Sequence, residues 1–449
     1  MQITFHGGAR IVTGSNYLLE HEGASILIDC GLHQGPNYCE KHNWNKFPYD
    51  PSSILAVFVT HAHIDHTGRL PKLFKDGFRG TVYSTPPTRD FANLLLLDSD
   101  HILAEEARRF KFEPLYSADD VGGLMERWKG IPYHESIEVG PFKVTLHNAG
   151  HILGSCFISV EAGGEVVLFS GDLGNSPAPI IGAREIFEGK ATYCLIESTY
   201  GDRIHEKLPE RKDILENMIE DTIKKGGTLL IPAFAMERTQ ELLYELNDLV
   251  NNGRVPKVPI FLDSPLAIKL TSVYQNYTDY FTEETQRIIA GGDNIFSFPG
   301  LKQTLTTEES KSINEVPSPK VIIAGSGMSH GGRIVHHEKK YLSDPKSTLF
   351  IVGYQAHGSL GRQILDGASS VRILGEDVPI RAGVVAVGGY SAHADQPQLL
   401  EWLKPLRTDL KKVFVVQGEE EASKALSQKI VDELAIHTVI PNEGDTAVL

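Results

Sequence analysis

The stretch Val59-Thr60-His61-Ala62-His63-Ile64-Asp65-His66-Thr67-Gly68 puts three histidines and an aspartate within six residues. It follows directly on Ile54-Leu55-Ala56-Val57-Phe58. An apolar, β-branched and aromatic run closed by a polar cluster reads as a buried strand ending at a site. In extended chain His61 and His63 project to the same side, so one cation can take both rings together with a distant third nitrogen. Asp65 and His66 turn the corner into a helix and face an adjacent point. Neutral imidazole and carboxylate are ligands for zinc or a related transition metal, and a catalytic site keeps a position open for water.

Working outward, other apolar strands end in the same chemistry. Ser25-Ile26-Leu27-Ile28 ends at Asp29, Val166 to Ser170 at Gly171-Asp172, and Thr192 to Ile196 at Glu197-Ser198-Thr199. Val144-Thr145-Leu146 runs into Ala149-Gly150-His151, and Val384 to Val387 leads to Ser391-Ala392-His393. One such ending means little; Asp29 alone reads as a turn or cap aspartate. Several along one chain describe a site built on the open edge of a sheet. A carboxylate such as Asp172 set between two cations is placed to bridge them, and the pKa of metal-bound water falls toward ~7.

The organisation is legible from patterning. Residues 1–30 read as an antiparallel meander with glycine turns. Helical spacing appears over 66–74, 88–112 and 119–129. His101 and His134 read as ordinary partly buried histidines. From about 205 the pattern becomes β-α-β alternation, which implies a second domain with a parallel sheet. Polar residues and scattered prolines make 291–319 a loop or irregular link. The strand ending at His393 reads as the first domain resuming, so the domains expected are 1–204 with 380–449, and an insert over 205–379.

Composition bounds the function class. The chain has 449 residues, 41% hydrophobic and 22% charged, which suits a globular protein of two or three domains. No apolar run approaches the ~20 residues of a membrane helix, and the N-terminus lacks the basic-then-apolar pattern of a signal peptide. Four cysteines without a C-x-x-C pair suggest neither a thiolate zinc site nor a disulfide framework. A reduced, cytoplasmic setting is expected. A formal net charge of −15 argues against coating nucleic acid by overall attraction, though not against a local cationic surface.

Together, H-x-H-x-D-H, the upstream Asp29, Ala149-Gly150-His151 and Ser170-Gly171-Asp172 resemble the metallo-β-lactamase fold hydrolases. Glu197-Ser198-Thr199-Tyr200-Gly201 resembles the family's motif A, and Ser391-Ala392-His393-Ala394-Asp395 its motif B. Ser326-Gly327-Met328 with Gly331-Gly332-Arg333, and Gly353 to Arg362, resemble recurrent stretches of the domain inserted between those motifs. The combination is similar to the β-CASP ribonucleases, which include the pre-mRNA 3′-end cleavage subunit and RNase J, and it covers nearly the whole chain.

The resemblance implies an α/β architecture: a four-layer αββα metallo-β-lactamase fold with an inserted parallel-sheet β-CASP domain. It implies two zinc ions. His61, His63 and His151 hold the first, Asp65 and His66 the second, and Asp172 bridges. Asp29 orients the cluster, and Glu197 with His393 forms a proton relay to the leaving oxygen. Asp65, Glu197, His393 and Asp29 are thus the expected catalytic set. The activity implied is hydrolysis of phosphodiester bonds in single-stranded RNA by metal-bound hydroxide, with RNA between the two domains. A non-catalytic RNA-binding scaffold and a DNA nuclease of the same fold are the alternatives. A second copy of the chain is kept as a partner; no membrane partner is expected.

One position departs from the family's RNA-cleaving members. Their motif C, Val-His-Gly-Glu, carries a histidine on the second zinc; here the segment is Val416-Gln417-Gly418-Glu419. An amide oxygen coordinates more weakly than imidazole, so a loosely held second metal is expected, with His357 or Glu419 as conceivable compensation. The archaeal relatives' KH-type extension and the added C-terminal domain of RNase J are both expected to be absent. In the insert, Ser326 and Gly327 offer amides for an anion-binding nest, with Arg333 nearby. Arg238 and Arg362 are further candidate phosphate contacts, and Phe234 and Tyr354 candidate base-stacking rings.

Overall fold

The structure is a computed structural model. It describes residues 1–449 except 36–39, 206–207, 354, 356–357 and 388–389, and the side chains of 208–210 are likewise not described. Cys39, Tyr354, Ala356 and His357 lie outside the described residues. The chain divides into two compact units, 1–204 with 393–449, and 205–392.

In the first unit two seven-stranded sheets lie face to face. One carries, in order, Thr446–Val448, Gln2–Gly7, Asn16–His21, Ala24–Ile28, Ile54–Phe58, Thr81–Ser84 and Trp128–Gly130. The other carries Thr438–Val439, Lys412–Val416, Tyr193–Glu197, Glu165–Phe169, Cys156–Ala162, Phe142–Asn148 and Ser136–Val139. Alternation along each strand sends one set of side chains inward. Phe5, Leu19, Ile26, Ile28 and Phe58 meet Val144, Ile158, Phe169, Leu195 and Phe414 in one buried core. Phe5 anchors it, with ring centroids 5.2 Å from Phe414 and 6.0 Å from Tyr17; burying each such ring is worth about 1.5–3 kcal/mol. The opposite faces are covered by helices. Leu399, Trp402 and Leu403 of Gln396–Leu403, and Leu426 and Ile430 of Glu420–Leu434, pack on Phe157, Leu168, Cys194 and Ile196. The result is the αββα arrangement. No helix among the described residues is long and apolar enough to cross a membrane.

The second unit holds a six-stranded sheet in which every pair is parallel, ordered Leu301–Gln303, Ile260–Asp263, Lys320–Ala324, Thr228–Pro232, Thr348–Ile351 and Gly383–Ala386. Strands buried on both faces read as continuous apolar runs, as Thr228–Pro232 and Lys320–Ala324 do.

Three sequence readings differ from the structure. Gly383–Ala386 pairs with Thr348–Ile351, so this strand completes the insert's sheet and the chain re-enters the first unit at His393 rather than 380. The stretch read as irregular contains strand Leu301–Gln303 and helix Thr307–Ser312. A capping box, Thr306 with Glu309, starts that helix locally. The helix expected over 119–129 ends at Met125, and Trp128–Gly130 is an edge strand whose Trp128 indole donates to Ser84 Oγ at 2.8 Å.

In the insert, the buried acid Glu338 is only partly satisfied by its surroundings. Glu338 is fully buried; Ser329 Oγ donates to Oε1, while Oε2 has no hydrogen-bond partner among the described residues. Burial pushes its pKa up to about 8, against the Ser329 hydrogen bond. The folded state therefore keeps a proton that the unfolded chain releases above its ordinary carboxyl pKa near 4.5. Stability is full below that value and falls as pH rises toward 8. Glu338→Gln keeps the acceptor for Ser329 and removes the charge. It is expected to raise the thermal midpoint at pH 8 by the equivalent of ~1–3 kcal/mol and to change it little at pH 4.5. Circular dichroism melts at the two pH values check this; an equal effect at both would refute the burial argument.

Candidate metal centre

The His-rich stretch lies where the sequence places it, past the end of Ile54–Phe58. Thr60, His61 and His66 are fully buried. His63 caps the short helix Ile64–Thr67, which carries Asp65 and His66. That helix is fastened by backbone bonds from Ser15 N to Asp65 O and from Cys30 N to His66 O, both 2.9 Å. A Cβ at Gly31 would fall 1.6 Å from Asp65 O, so only glycine allows this approach. Gly174 does the same on the facing sheet, where a Cβ would fall 1.7 Å from Gly150 O. Gly31 thus seats the Asp29 turn on the histidine turn, and Gly174 seats the Asp172 loop on the His151 loop.

Four donor atoms then converge. His61 Nε2 lies 3.0 Å from His63 Nδ1, and His151 Nε2 lies 3.3 Å from the same atom. Asp172 Oδ2 is 3.3 Å from His61 Nε2 and 3.5 Å from His151 Nε2. Donor atoms of these four residues all lie within 4.8 Å of one another. Burial holds the pKa of His63 and His151 well below the imidazole range, favouring the neutral form that ligates metal. Burial would raise the Asp172 carboxyl, but His66, His61 and His393 outweigh it and hold it well below the carboxylate range. Three imidazole nitrogens facing one carboxylate at these spacings, shielded from water, fit Zn²⁺ or a related transition cation.

Asp29 and Thr60 steer the ring of His66. Asp29 Oδ2 lies 2.7 Å from His66 Nδ1, and its carboxylate accepts from Thr60 N and Thr60 Oγ1, both at 2.8 Å. His66 Nε2 is thereby aimed at Asp172 Oδ1, 3.3 Å away. Burial opposes charge on His66, yet Asp172 and Asp29 prevail and raise its pKa above the imidazole range. The pair thus favours positive charge at this ring, carried as a proton or supplied by a cation. Asp65 Oδ2 stands farther off, 3.9 Å from His66 Nε2, and burial raises its pKa.

On the other side of Asp172 stands His393, tied into the unit by a backbone bridge to Gly174. Its Nδ1 lies 3.2 Å from Glu197 Oε2 and 3.8 Å from Asp172 Oδ2. Glu197 is fully buried and accepts from Leu173 N at 2.6 Å. Burial works against charge on His393, but Glu197 and Asp172 lift its pKa to about 9. The ring is therefore protonated at neutral pH.

Family models match residues 10–207 (metallo-beta-lactamase superfamily), 239–364 (Beta-Casp domain) and 377–441 (Zn-dependent metallo-hydrolase RNA specificity domain). A ribonuclease of Thermus thermophilus is 42% identical over 428 residues, covering 95% of each chain. The chain belongs to the β-CASP branch of the metallo-β-lactamase superfamily. It is also 33% identical to the transcription termination factor FttA of Methanosarcina mazei, covering 98% of this chain and 70% of that one. An RNase J-like protein of Methanocaldococcus jannaschii is 31% identical, with 98% of both chains covered. A crystal structure of a protein of unknown function from Enterococcus faecalis superposes with a TM-score of 0.56 at 13% identity, covering 100% of this chain and 99% of that one, a likeness of fold. The β-CASP chain is a metal-dependent hydrolase of the nuclease class.

The insert's candidate phosphate contacts are engaged with carboxylates. Arg333 Nη1 donates to Asp263 Oδ1 at 2.6 Å, and its other donors reach Thr304 O and Leu305 O. Asp263 also accepts from Thr304 and Ser310, and its Oδ2 lies 2.7 Å from His337 Nε2. Arg238 is buried and paired with Glu241. Arg362, half-exposed, donates to Asp366 one helical turn on. In the loop of Ser326 and Gly327, Ser326 N bonds to Gly331 O at 3.3 Å, and Gly327 O accepts from Gln355 at 2.9 Å. Phe234 is 38% exposed.

Two features escaped the sequence reading. Thr60 and Ser15 bond to Asp29, and nothing in their local pattern announces it. His134, His147 and Glu185 form a second group of closely spaced donors, with His134 Nε2 3.3 Å from Glu185 Oε1. His147 sits on the strand that leads to His151, which was a signal; Glu185 lies in a loop and gave none.

Proposed function

We propose that this chain is a zinc-dependent ribonuclease that hydrolyses phosphodiester bonds of single-stranded RNA. The observation that carries the reading is the convergence of His61, His63, His151 and Asp172 beside the Glu197–His393 pair. The Thermus thermophilus relative, itself a ribonuclease, supports RNA as the substrate class. His61, His63 and His151 with Asp172 Oδ2 would hold a zinc ion. Bound there, zinc supplies Lewis-acid polarisation of a phosphoryl oxygen and activation of water near neutral pH.

The chain's own residues do the rest. Asp29 fixes the orientation of His66 through Nδ1, the kind of outer contact that commonly sets ligand geometry. Glu197 holds the His393 ring through Nδ1, which leaves Nε2 as the atom that donates a proton to the leaving oxygen. The insert over 205–392 contributes to the RNA surface through the Ser326-Gly327 loop and the partly exposed Arg333 and Arg362, while Arg238, buried against Glu241, does not.

Matched end-labelled RNA and DNA strands incubated with the purified chain test this. RNA cleavage that chelation abolishes and zinc restores is expected, with DNA left intact. Chelator-insensitive cleavage, or equal cutting of DNA, would overturn it. Product mapping in the same assay separates internal from terminal cleavage.

A further inference from the structure

The two halves of the donor cluster are not equivalent. Donors of His61, His63, His151 and Asp172 all lie within 4.8 Å of one another, but among the described residues no group of three donors containing Asp65 or His66 meets that spacing. Against the contact of His66 with Asp172 lies the side chain of Gln417. Its Nε2 lies 2.8 Å from Asp172 Oδ1 and 3.1 Å from His66 Nε2. The amide presents its NH₂ to Asp172 Oδ1, to which it donates, and not its carbonyl. That group thus donates to Asp172 Oδ1 and lies against His66 Nε2, occupying the place of a second cation shared by those two atoms, with the other nitrogen of His66 held by Asp29.

Gln417 cannot easily withdraw. It is 2% exposed and sits at φ +49, a conformation unusual for a non-glycine residue. Its backbone is pinned: N donates to Gly8 O at 2.7 Å, and O accepts from Ser198 N and from Thr199 Oγ1 at 3.1 Å. Turning the amide to offer Oε1 to a cation would break the bond to Asp172 and strand buried N–H groups.

We propose that Gln417 closes the second half of the centre, so that the chain holds one cation tightly, on His61, His63, His151 and Asp172. The amide dipole takes the place of the second cation against Asp172 Oδ1 and His66 Nε2. This rests on the reading of the first site as a zinc site but not on the chain's cleaving RNA.

Metal content tests it without recourse to activity. The purified chain is loaded with excess zinc, dialysed against metal-free buffer and assayed by inductively coupled plasma mass spectrometry. About one zinc per chain is expected, rising to about two in Gln417→His, which exchanges the amide for an imidazole donor. Gln417→Glu supplies a carboxylate of nearly the same shape and is expected to behave likewise should the histidine variant fail to fold. Two tightly held zincs in the parent chain, or no gain in any folded variant, would overturn the proposal. No retained zinc in the parent chain would instead sink the first site, and with it the proposed function.

Discussion

Asp172→Asn is expected to strip the chain of its tightly bound metal and to lower RNA cleavage by at least ~10³-fold. The carboxylate is the one group that touches every part of the centre. Oδ2 faces His61 at 3.3 Å, His151 at 3.5 Å and His393 at 3.8 Å, while Oδ1 faces His66 at 3.3 Å. Asparagine keeps the shape but removes the negative charge that makes gathering three buried imidazoles around a cation favourable. Loss of ~4 kcal/mol of transition-state stabilisation corresponds to about three decades in rate. Asp172 is 3% exposed, so solvent compensates little for the lost charge at that position. Metal analysis and single-turnover cleavage by the same preparation check it. A variant that retains zinc and cleaves within tenfold of the parent would remove Asp172 from the centre.

His393→Ala is expected to cost ~10²–10⁴-fold in turnover while leaving the metal in place, the range usual for losing a positioned general acid. Its partner gives the sharper test. With its pKa raised to about 9, His393 is in the proton-donating form through neutral pH, and activity should fall as pH rises through that value. Glu197, 3.2 Å away, is a main source of the shift. Glu197→Gln removes that charge and lowers the His393 pKa. The alkaline limb of the pH–rate profile should therefore move to lower pH, with metal content unchanged. A merely structural glutamate would lower activity without moving the limb. An unshifted limb in an active Glu197→Gln enzyme would end the relay assignment.

The two readings draw on different layers of information. His61, His63, Asp65 and His66 fall within six residues of local sequence, and the run Ile54–Phe58 before them marks the strand that delivers them. Asp29, Asp172 and Glu197 were legible because each follows a buried apolar strand, and ionisable groups gather where such a sheet edge opens; His393 was legible only from its place after a strand that joins the insert's sheet. The insert's parallel sheet was legible for a related reason: strands covered on both faces must be apolar throughout. Pairing was not. Gly383–Ala386 has the composition to join either sheet, and its hydrogen bonds to Thr348–Ile351 decided the matter.

The same division runs through the charged residues. Arg238, Arg333 and Arg362 look alike in sequence as candidate anion contacts. The structure sets them apart, against Glu241, Asp263 and Asp366, one buried, one partly covered and one half-exposed. A buried guanidinium without a carboxylate would bear a heavy desolvation cost, so its partner is dictated by the fold around it.

In the sequence itself lay the inventory of the His61–His66 centre, since donor identity and strand-end position are local properties of the chain. Which donors meet is another matter. His63 and His151 stand 88 residues apart, and His66 and Gln417 stand 351 apart. Gln417 reads in sequence as a weak substitute for a ligand. Only the pairing of Lys412–Val416 beside Tyr193–Glu197, and a backbone held at φ +49, turn it into an amide set against His66 and Asp172. Contacts across such separations are fixed by sheet register and core packing, which no single stretch of chain contains.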